Sequence, residues 1–399
     1  MLVIVAPGQG AQTPGFLTPW LADPTFAARF EWLSTVAGLD LVHYGTEADA
    51  ATIQDTSIAQ PLLVATGLVA ALELFPHPAD AFERIAAVAG HSVGELTAAA
   101  GARAITAEQA MVLVRERGKA MAAAAAATPT GMTAVLGGDR EDVLATLARH
   151  GLVAANDNGP GQVVAAGTRE QLDALQADPP TKARLMPLSV AGAFHTEHMA
   201  PAVGHLAGLA RSVSVHDPRT RVISNRDGQV VHSGADLLAR IVGQIASPVR
   251  WDLCLETMAD LGVTGILEMP PAGTLTGIAK RFFAGAGVET FALKTPDQLD
   301  EARAFVERHG EVGSRSGLDT SPTWRMVVSP SKGTFHRSEA AADAHVLAPG
   351  TTIGDVASLR DRIAVTAAHG GQVVEWLVED GDPVAPGQPL LRLHPAGAA

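Results

Sequence analysis

The chain has 399 residues, 47% of them apolar and 18% charged, with a formal net charge of −13. This composition supplies a large core, excludes global disorder and suits two or three domains. The acidic balance argues against nonspecific nucleic-acid binding, which needs clustered Lys and Arg. The sequence predicts no apolar run that approaches bilayer length, and Leu2–Ala6, without a basic leader, is expected to be a first buried strand. One cysteine, Cys254, excludes an internal disulfide and is expected to pack in a helix, which fits a reducing, cytoplasmic compartment.

Up to about Lys294, apolar strands alternate with Ala-rich helical patterns. The strands are predicted at Leu2–Ala6, Ile85–Ala89, Val163–Ala166, Arg221–Ser224 and Thr264–Glu268. Such alternation predicts an α/β fold with a mainly parallel sheet. Between them, about Gly131–Val190 reads strand, helix, strand, strand, helix, strand, which predicts a small ferredoxin-like insert within residues 128–193. The domain of residues 1–307 is followed by a polar Gly/Ser-rich linker at 308–325. From 326 to 399, turn-rich sequence with weak helical periodicity predicts a small all-β module.

Residues 90–94 read Gly-His-Ser-Val-Gly between the strand Ile85–Ala89 and a helical run from Glu95. A Gly-x-Ser-x-Gly in that setting is a nucleophile elbow, with Ser92 at a helix N-terminus where partial positive charge favours an oxyanion. A capping serine in a tight turn is the plainer alternative, and Glu95 is equally well an ordinary first-turn carboxylate. A serine nucleophile needs a base. His195, in Gly192-Ala-Phe-His-Thr-Glu-His198, is the candidate after a strand expected at Ala183–Val190. His198 competes with it, and the two form a His-x-x-His without a third ligand at matching spacing, so no metal is expected. His91 is expected to point away from the nucleophile. The segment Thr106–Ala126 reads as a helix with a capping box formed by Thr106 and Gln109. At about 100° per residue, Ala110, Leu113, Val114 and Met121 share one face, and Arg117 lies in its middle. A buried guanidinium needs an anion, so Arg117 is either an internal ion pair or a clamp for a substrate carboxylate.

These residues carry a resemblance. Over about residues 1–300 the chain resembles the malonyl-CoA:acyl carrier protein transacylases of bacterial fatty-acid and polyketide synthesis. The shared motifs are Pro7-Gly-Gln-Gly-Ala-Gln12, Gly90-His-Ser-Val-Gly-Glu95, Arg117, Asn156-Asp-Asn-Gly-Pro-Gly-Gln162, Gly192-Ala-Phe-His195, Gln244 in Gln-Ile-Ala-Ser-Pro-Val-Arg-Trp251, and Gly273-Thr-Leu-Thr-Gly277. The resemblance implies an α/β-hydrolase-like core. It implies Ser92 as nucleophile, His195 as base, and an oxyanion hole from the Gln9 and Val93 N–H groups. It also implies Arg117 on the malonyl carboxylate, with Gln244, Met121, Asn156 and Phe194 around the substrate. His195 would be oriented by a main-chain carbonyl in the place of Gln244. Val93 and Phe194 resemble the malonyl-selecting pattern, in which a ring beside the acyl C2 rejects a methyl branch worth about 1–3 kcal/mol. Malonyl-CoA and an acyl carrier protein are the implied partners, with no cofactor of the chain's own. Lys280, Arg281 and Arg250 are candidates for docking the acidic carrier. Glu268-Met-Pro-Pro-Ala-Gly273 departs from the usual single Pro, which predicts a changed loop and unchanged chemistry.

From about Val327 the chain resembles a biotin carboxyl carrier or lipoyl domain, a barrel-sandwich fold, in Val327-Val-Ser-Pro-Ser-Lys-Gly-Thr-Phe-His336, Gly371-Gln-Val-Val-Glu-Trp-Leu-Val-Glu-Asp-Gly-Asp-Pro-Val384 and Pro386-Gly-Gln-Pro-Leu-Leu391. The carrier lysine would fall near Leu359-Arg-Asp361, and no lysine follows Lys332. A guanidinium cannot form the amide that holds biotin or lipoate. The expectation is a carrier fold without cargo, either passive or docking on a carboxylase that makes malonyl-CoA. Against the transferase stand a serine thioesterase or hydrolase, disfavoured by Arg117, and a non-catalytic scaffold, disfavoured by the intact Ser92, His195, Gln9 and Arg117.

Overall fold

Apolar strands with both faces buried build the core of the N-terminal part of the chain, shown here by a computed structural model that describes residues 1–310, 325–342, 344–358 and 361–394. A six-stranded sheet runs, edge to edge, through Glu289–Ala292, Gly265–Glu268, Leu2–Ala6, Ile85–Gly90, Arg221–Ile223 and Val230–Val231. The first five strands are parallel and the last is antiparallel. Side chains alternate across a strand, and here both sets are apolar. Leu2 and Ile4 face the helices Pro24–Ala37, Thr56–Leu74 and Ala107–Ala127, while Val3 and Val5 face Trp251–Asp260 and Thr274–Phe282. Cys254 is buried in the latter layer, as its apolar setting predicts.

The expectation of no membrane-length apolar run fails for Thr56–Leu74, which by length and composition could cross a bilayer. Here it is a core helix, with Ala59, Leu62, Leu63 and Val64 buried against the neighbouring helices. Periodicity gave no warning because the helix is apolar on nearly every side.

A second sheet runs through Ala183–Pro187, Thr130–Gly137, Gln162–Thr168, Val153–Asp157 and Val249–Arg250. The first four strands are antiparallel, and the last joins in parallel. Helices Arg140–Arg149 and Arg169–Ala177 cover it through Val143, Leu147 and Leu175. Asp139 caps the first helix, and a Thr168/Gln171 capping box starts the second. The strand expected to reach Val190 ends at Pro187, one last ladder bond follows from Leu188 N–H to the Met132 carbonyl at 3.0 Å, and the chain then turns toward His195.

By its contacts the chain divides into Met1–Val312 and Gly313–Ala399. Arg308 and His309 close the helix Leu299–His309, and the rest of the expected linker, residues 311–324, lies outside the described residues. The C-terminal unit holds two antiparallel four-stranded sheets. One is formed by Arg325–Val328, Pro389–His394, Gly371–Trp376 and Val346–Leu347. The other is formed by Arg362–Ala367, Thr351–Ala357, Gly333–Arg337 and Pro383–Val384. Phe335, Ile353, Val356, Leu390 and Leu391 fill its core. A short helix, Glu339–Ala342, lies among the strands.

The serine turn shows why its glycines are required. A Cβ on Gly94 would sit 2.3 Å from the Ala6 carbonyl oxygen, and one on Gly90 would sit 1.9 Å from the Gly94 carbonyl carbon. These are backbone atoms that no rotamer change can clear. Gly94→Ala is expected to lower stability by about 1–3 kcal/mol, the usual effect of overpacking, as a drop in denaturant midpoint. Gly101→Ala, in the same helix with nothing within 4 Å of its added Cβ, should not destabilise. Equal midpoints for the two variants would refute the tight-turn explanation.

Candidate active site

The elbow helix Gly94–Gly101 follows the strand Ile85–Gly90 at its carboxyl end, where parallel sheets commonly place reactive groups. Ser92 is held at φ 53° and His195 at φ 61°, a left-handed conformation uncommon outside glycine. Arg103 and Lys182 share that conformation, but Ser92 and His195 are the two that face each other, and strain on facing residues points to a functional constraint. Ser92 N–H donates to Asn225 Oδ1 at 2.8 Å, and Asn225 Nδ2 donates to the Gly90 carbonyl at 2.8 Å, which stitches the turn shut. The His195 loop is pinned by Ala193 N–H to Thr130 Oγ1 at 2.9 Å and by Thr196 Oγ1 to the Ala193 carbonyl at 2.7 Å.

Ser92 Oγ and His195 Nε2 are 2.7 Å apart. His195 Nδ1 donates to the main-chain carbonyl of Gln244 at 2.8 Å. That bond fixes the tautomer and leaves Nε2 free to accept the serine proton. Gln244 ends the helix Gly234–Gln244, so the partial negative charge of a helix C-terminus stands where a carboxylate could have been. Burial, and then the charge of Arg117, push the His195 imidazole down to about 3, so it is neutral near pH 7.

Arg117 is 0% exposed. Its Nη1 donates to Gln60 Oε1 at 2.7 Å, and its Nη2 to Gln244 Oε1 at 3.0 Å and Ser92 Oγ at 3.3 Å. Its Nε has no protein partner. Burial lowers its pKa to about 10, which still leaves a cation at neutral pH. Glu95 is also buried, and burial raises its pKa to about 7. The pair thus places a cation and a proton-labile carboxyl directly behind the serine. The Gln9 and Val93 N–H groups have no hydrogen-bond partner among the described residues, which leaves them free for an oxyanion.

The other predicted residues are placed as follows. Phe194 is buried beside His195, and Met121 is buried with its sulfur 3.5 Å from Gln60 Nε2. Asn156 is half-buried on the strand Val153–Asp157, and its Oδ1 has no protein partner. The link from that motif to the elbow is Asn158, whose Oδ1 lies 2.9 Å from His91 Nε2. His91 faces Asn158 and packs edge-on against Trp251, away from Ser92. His198 makes no contact with Ser92; its N–H donates to Thr196 Oγ1. Among the described residues, no three His, Cys, Asp or Glu side chains converge as metal ligands. Arg250 is held by Asp252 through bonds of 2.9 and 2.7 Å, and Arg281 by Gln162 at 2.6 Å, while Lys280 is exposed. At the unusual Pro270-Pro271 loop, the buried Glu268 carboxylate accepts from the N–H groups of Gly273, Leu275 and Thr276 and caps the helix Thr274–Phe282.

The sequence model of the family described as the acyl transferase domain matches residues 3–293. The chain belongs to this family. The acyl transferase region is 49% identical over 301 residues to a protein of Mycobacterium tuberculosis named malonyl CoA-acyl carrier protein transacylase, covering 75% of this chain and 99% of the relative. It is 33% identical to the Escherichia coli protein of the same name, covering 69% and 91% of the two chains. The crystal structure of the Mycobacterium tuberculosis enzyme superposes with a TM-score of 0.73 over 76% of this chain and 99% of that one. A complex of a type II polyketide acyl-carrier protein with its malonyl-transacylase is 30% identical, with a TM-score of 0.69 over 76% of this chain and 99% of that chain. The acyl transferase region therefore shares the mixed α/β fold of these enzymes.

Asn225, Gln60 and Asn158 are site residues that sequence reasoning missed, and Glu95 was left undecided there. Two had a signal. Asn225 follows an apolar strand at the carboxyl edge of the sheet, and Gln60 is a lone amide within an otherwise apolar helix.

Proposed function

We propose that this chain transfers the malonyl group of malonyl-CoA to the phosphopantetheine thiol of an acyl carrier protein, in cytoplasmic fatty-acid or polyketide synthesis. One observation carries this reading: a fully buried arginine with an unpartnered Nε stands 3.3 Å from the oxygen of a serine–histidine pair. A plain esterase has no use for a buried cation there, whereas a carboxylated acyl group supplies the missing anion.

In the first half-reaction Ser92 Oγ attacks the thioester carbon while His195 Nε2 accepts its proton. The oxyanion is held by the Gln9 and Val93 N–H groups, and the proton passes to the departing coenzyme A sulfur. In the second, His195 takes the proton of the carrier thiol, whose sulfur attacks malonyl-Ser92, and the serine recovers its proton. No cofactor is required. Phe194 would border the acyl C2, with Met121, Asn156 and Gln244 around the acyl group. Lys280 is the best placed of the three basic docking candidates, since Arg250 and Arg281 have partners of their own. The test is mass spectrometry after brief mixing with malonyl-CoA, with the malonyl adduct expected on the peptide that contains Ser92.

On the same reading a linker joins two domains, its expected bounds of 308–325 shortened because Arg308 and His309 belong to the helix before it and Arg325 to the strand after it. The first domain has an α/β-hydrolase-like core and a ferredoxin-like insert. The strand order 183–187, 130–137, 162–168, 153–157 supports the insert. The C-terminal unit is a barrel-sandwich carrier fold without its lysine, and its paired antiparallel sheets support this. The lysine's place, near Leu359-Arg-Asp361, follows the strand that ends at Ala357. Of these, Leu359 and Arg360 lie outside the described residues. Its proposed partner is a carboxylase that makes malonyl-CoA, with tethering raising the local supply of substrate. Truncation after Arg308 is expected to leave transfer from free malonyl-CoA to free carrier nearly unchanged. A large loss would make the unit part of the active architecture, and a pull-down without a carboxylase subunit would overturn the docking role.

A further inference from the structure

Among the buried ionisable groups that the transfer chemistry leaves unused, Glu95 is the one that a single side chain, Gln244, joins to Arg117. Glu95 is 1% exposed. Its Oε2 accepts from Gln244 Nε2, and its Oε1 accepts from the Asn225 N–H at 2.6 Å. The far end of the same Gln244 amide accepts from Arg117 at 3.0 Å. The orientation of this amide follows from its neighbours. On one side lie two acceptors, Glu95 Oε2 and Asn225 Oδ1, and on the other a guanidinium with only donors. Gln244 is therefore a single-amide bridge between a buried cation and a buried anion.

With the acyl pocket empty, Arg117 and ionised Glu95 sum to zero charge. A carboxylate arriving at Arg117 makes two anions around one cation, out of water. A buried unpaired charge is unfavourable enough that a group changes its protonation state instead. The groups that face Glu95 narrow the choice. Arg117 is already a cation. So is Arg240, which is bound to Asp227 at 2.7 Å and Asp236 at 2.8 Å. Cys254 is a neutral thiol, its pKa raised by burial and then by Glu95 itself. Beyond Gln244 stands His195, where a proton would remove the acceptor for Ser92.

We propose that Glu95 is the resident counter-ion of Arg117, relayed through Gln244, and that it takes up one proton from solvent when the carboxylate of an acyl group binds Arg117. This rests on the reading of Arg117 given above. With burial holding the empty-site carboxyl at about 7, Glu95 is largely protonated at pH 6 and only about a tenth protonated at pH 8. Uptake therefore grows with pH, and the affinity for the carboxylated acyl group falls by about fivefold from pH 7 to 8.

Calorimetry in buffers of different ionisation enthalpy measures this directly, with Ser92→Ala protein to prevent acylation. Malonyl-CoA binding is expected to take up almost no proton at pH 6 and close to one at pH 8, and acetyl-CoA none at either. Adding Glu95→Gln should abolish the uptake and tighten malonyl-CoA binding at pH 8 by up to about tenfold, which loss of a merely structural residue would not do. Tight malonyl-CoA binding at pH 8 without proton uptake overturns the proposal while leaving the role of Arg117 intact. Uptake that persists with Glu95→Gln assigns the proton to His195 and also overturns it. If that variant does not fold, infrared difference spectra of Ser92→Ala protein decide, because a protonated carboxyl band must appear on adding malonyl-CoA, and its absence overturns the proposal. If malonyl-CoA binds no more tightly than acetyl-CoA, the role of Arg117 falls and this inference falls with it.

Discussion

Ser92→Ala is expected to abolish the malonyl adduct and lower transfer to the carrier by about 10³-fold or more. Ser92 Oγ is the nucleophilic atom within reach of His195 Nε2, at 2.7 Å. Its neighbour His91 is turned toward Asn158 and cannot substitute. The change removes one hydroxyl from a turn held by main-chain bonds, so fold and malonyl-CoA binding should survive. A loss of rate with substrate affinity retained is the signature of an interaction needed for the chemical step itself. An adduct on another residue of the variant would overturn the assignment, and so would near-normal transfer.

Arg117→Ala should lower kcat/KM for malonyl-CoA by about 10²-fold or more and affect acetyl-CoA far less. Removing one member of a buried, hydrogen-bonded charge pair typically costs about 2–5 kcal/mol. Here the substrate carboxylate would be that deserted partner. Some loss with acetyl-CoA is expected too, because Arg117 also donates to Ser92 Oγ and to Gln244, which orients His195. The ratio of the two substrates is therefore the informative quantity. Equal losses would make the arginine purely structural.

Much of this site was legible beforehand. The elbow was readable because Gly90, Ser92 and Gly94 are fixed by local backbone sterics, and local constraints leave local motifs. Arg117 was readable because a charge in the middle of an apolar helical face has few explanations. Gln60 and Asn225 were not, since each meets the site only through tertiary packing, 57 residues from Arg117 and 133 from Ser92 respectively. The helix Thr56–Leu74 was misjudged for a similar reason: apolar on nearly all sides, it carries no record of which neighbours cover it. The end of the strand Ala183–Pro187 was overrun because Leu188 and Val190 are apolar, while its last ladder bond is made by the Leu188 N–H to Met132.

The pairs that make up the site are far apart in the chain: 103 residues separate Ser92 from His195, and 149 separate Glu95 from Gln244. Neither half can be completed by a growing polypeptide until the helix ending at Gln244 has emerged and docked. A ribosome-bound fragment that already displays the elbow should thus be inert toward thioesters, sparing the nascent chain premature acylation. During refolding, loop closure over such separations comes late. Recovery of acylation at Ser92 should lag behind recovery of helical signal, which makes it a reporter of finished topology.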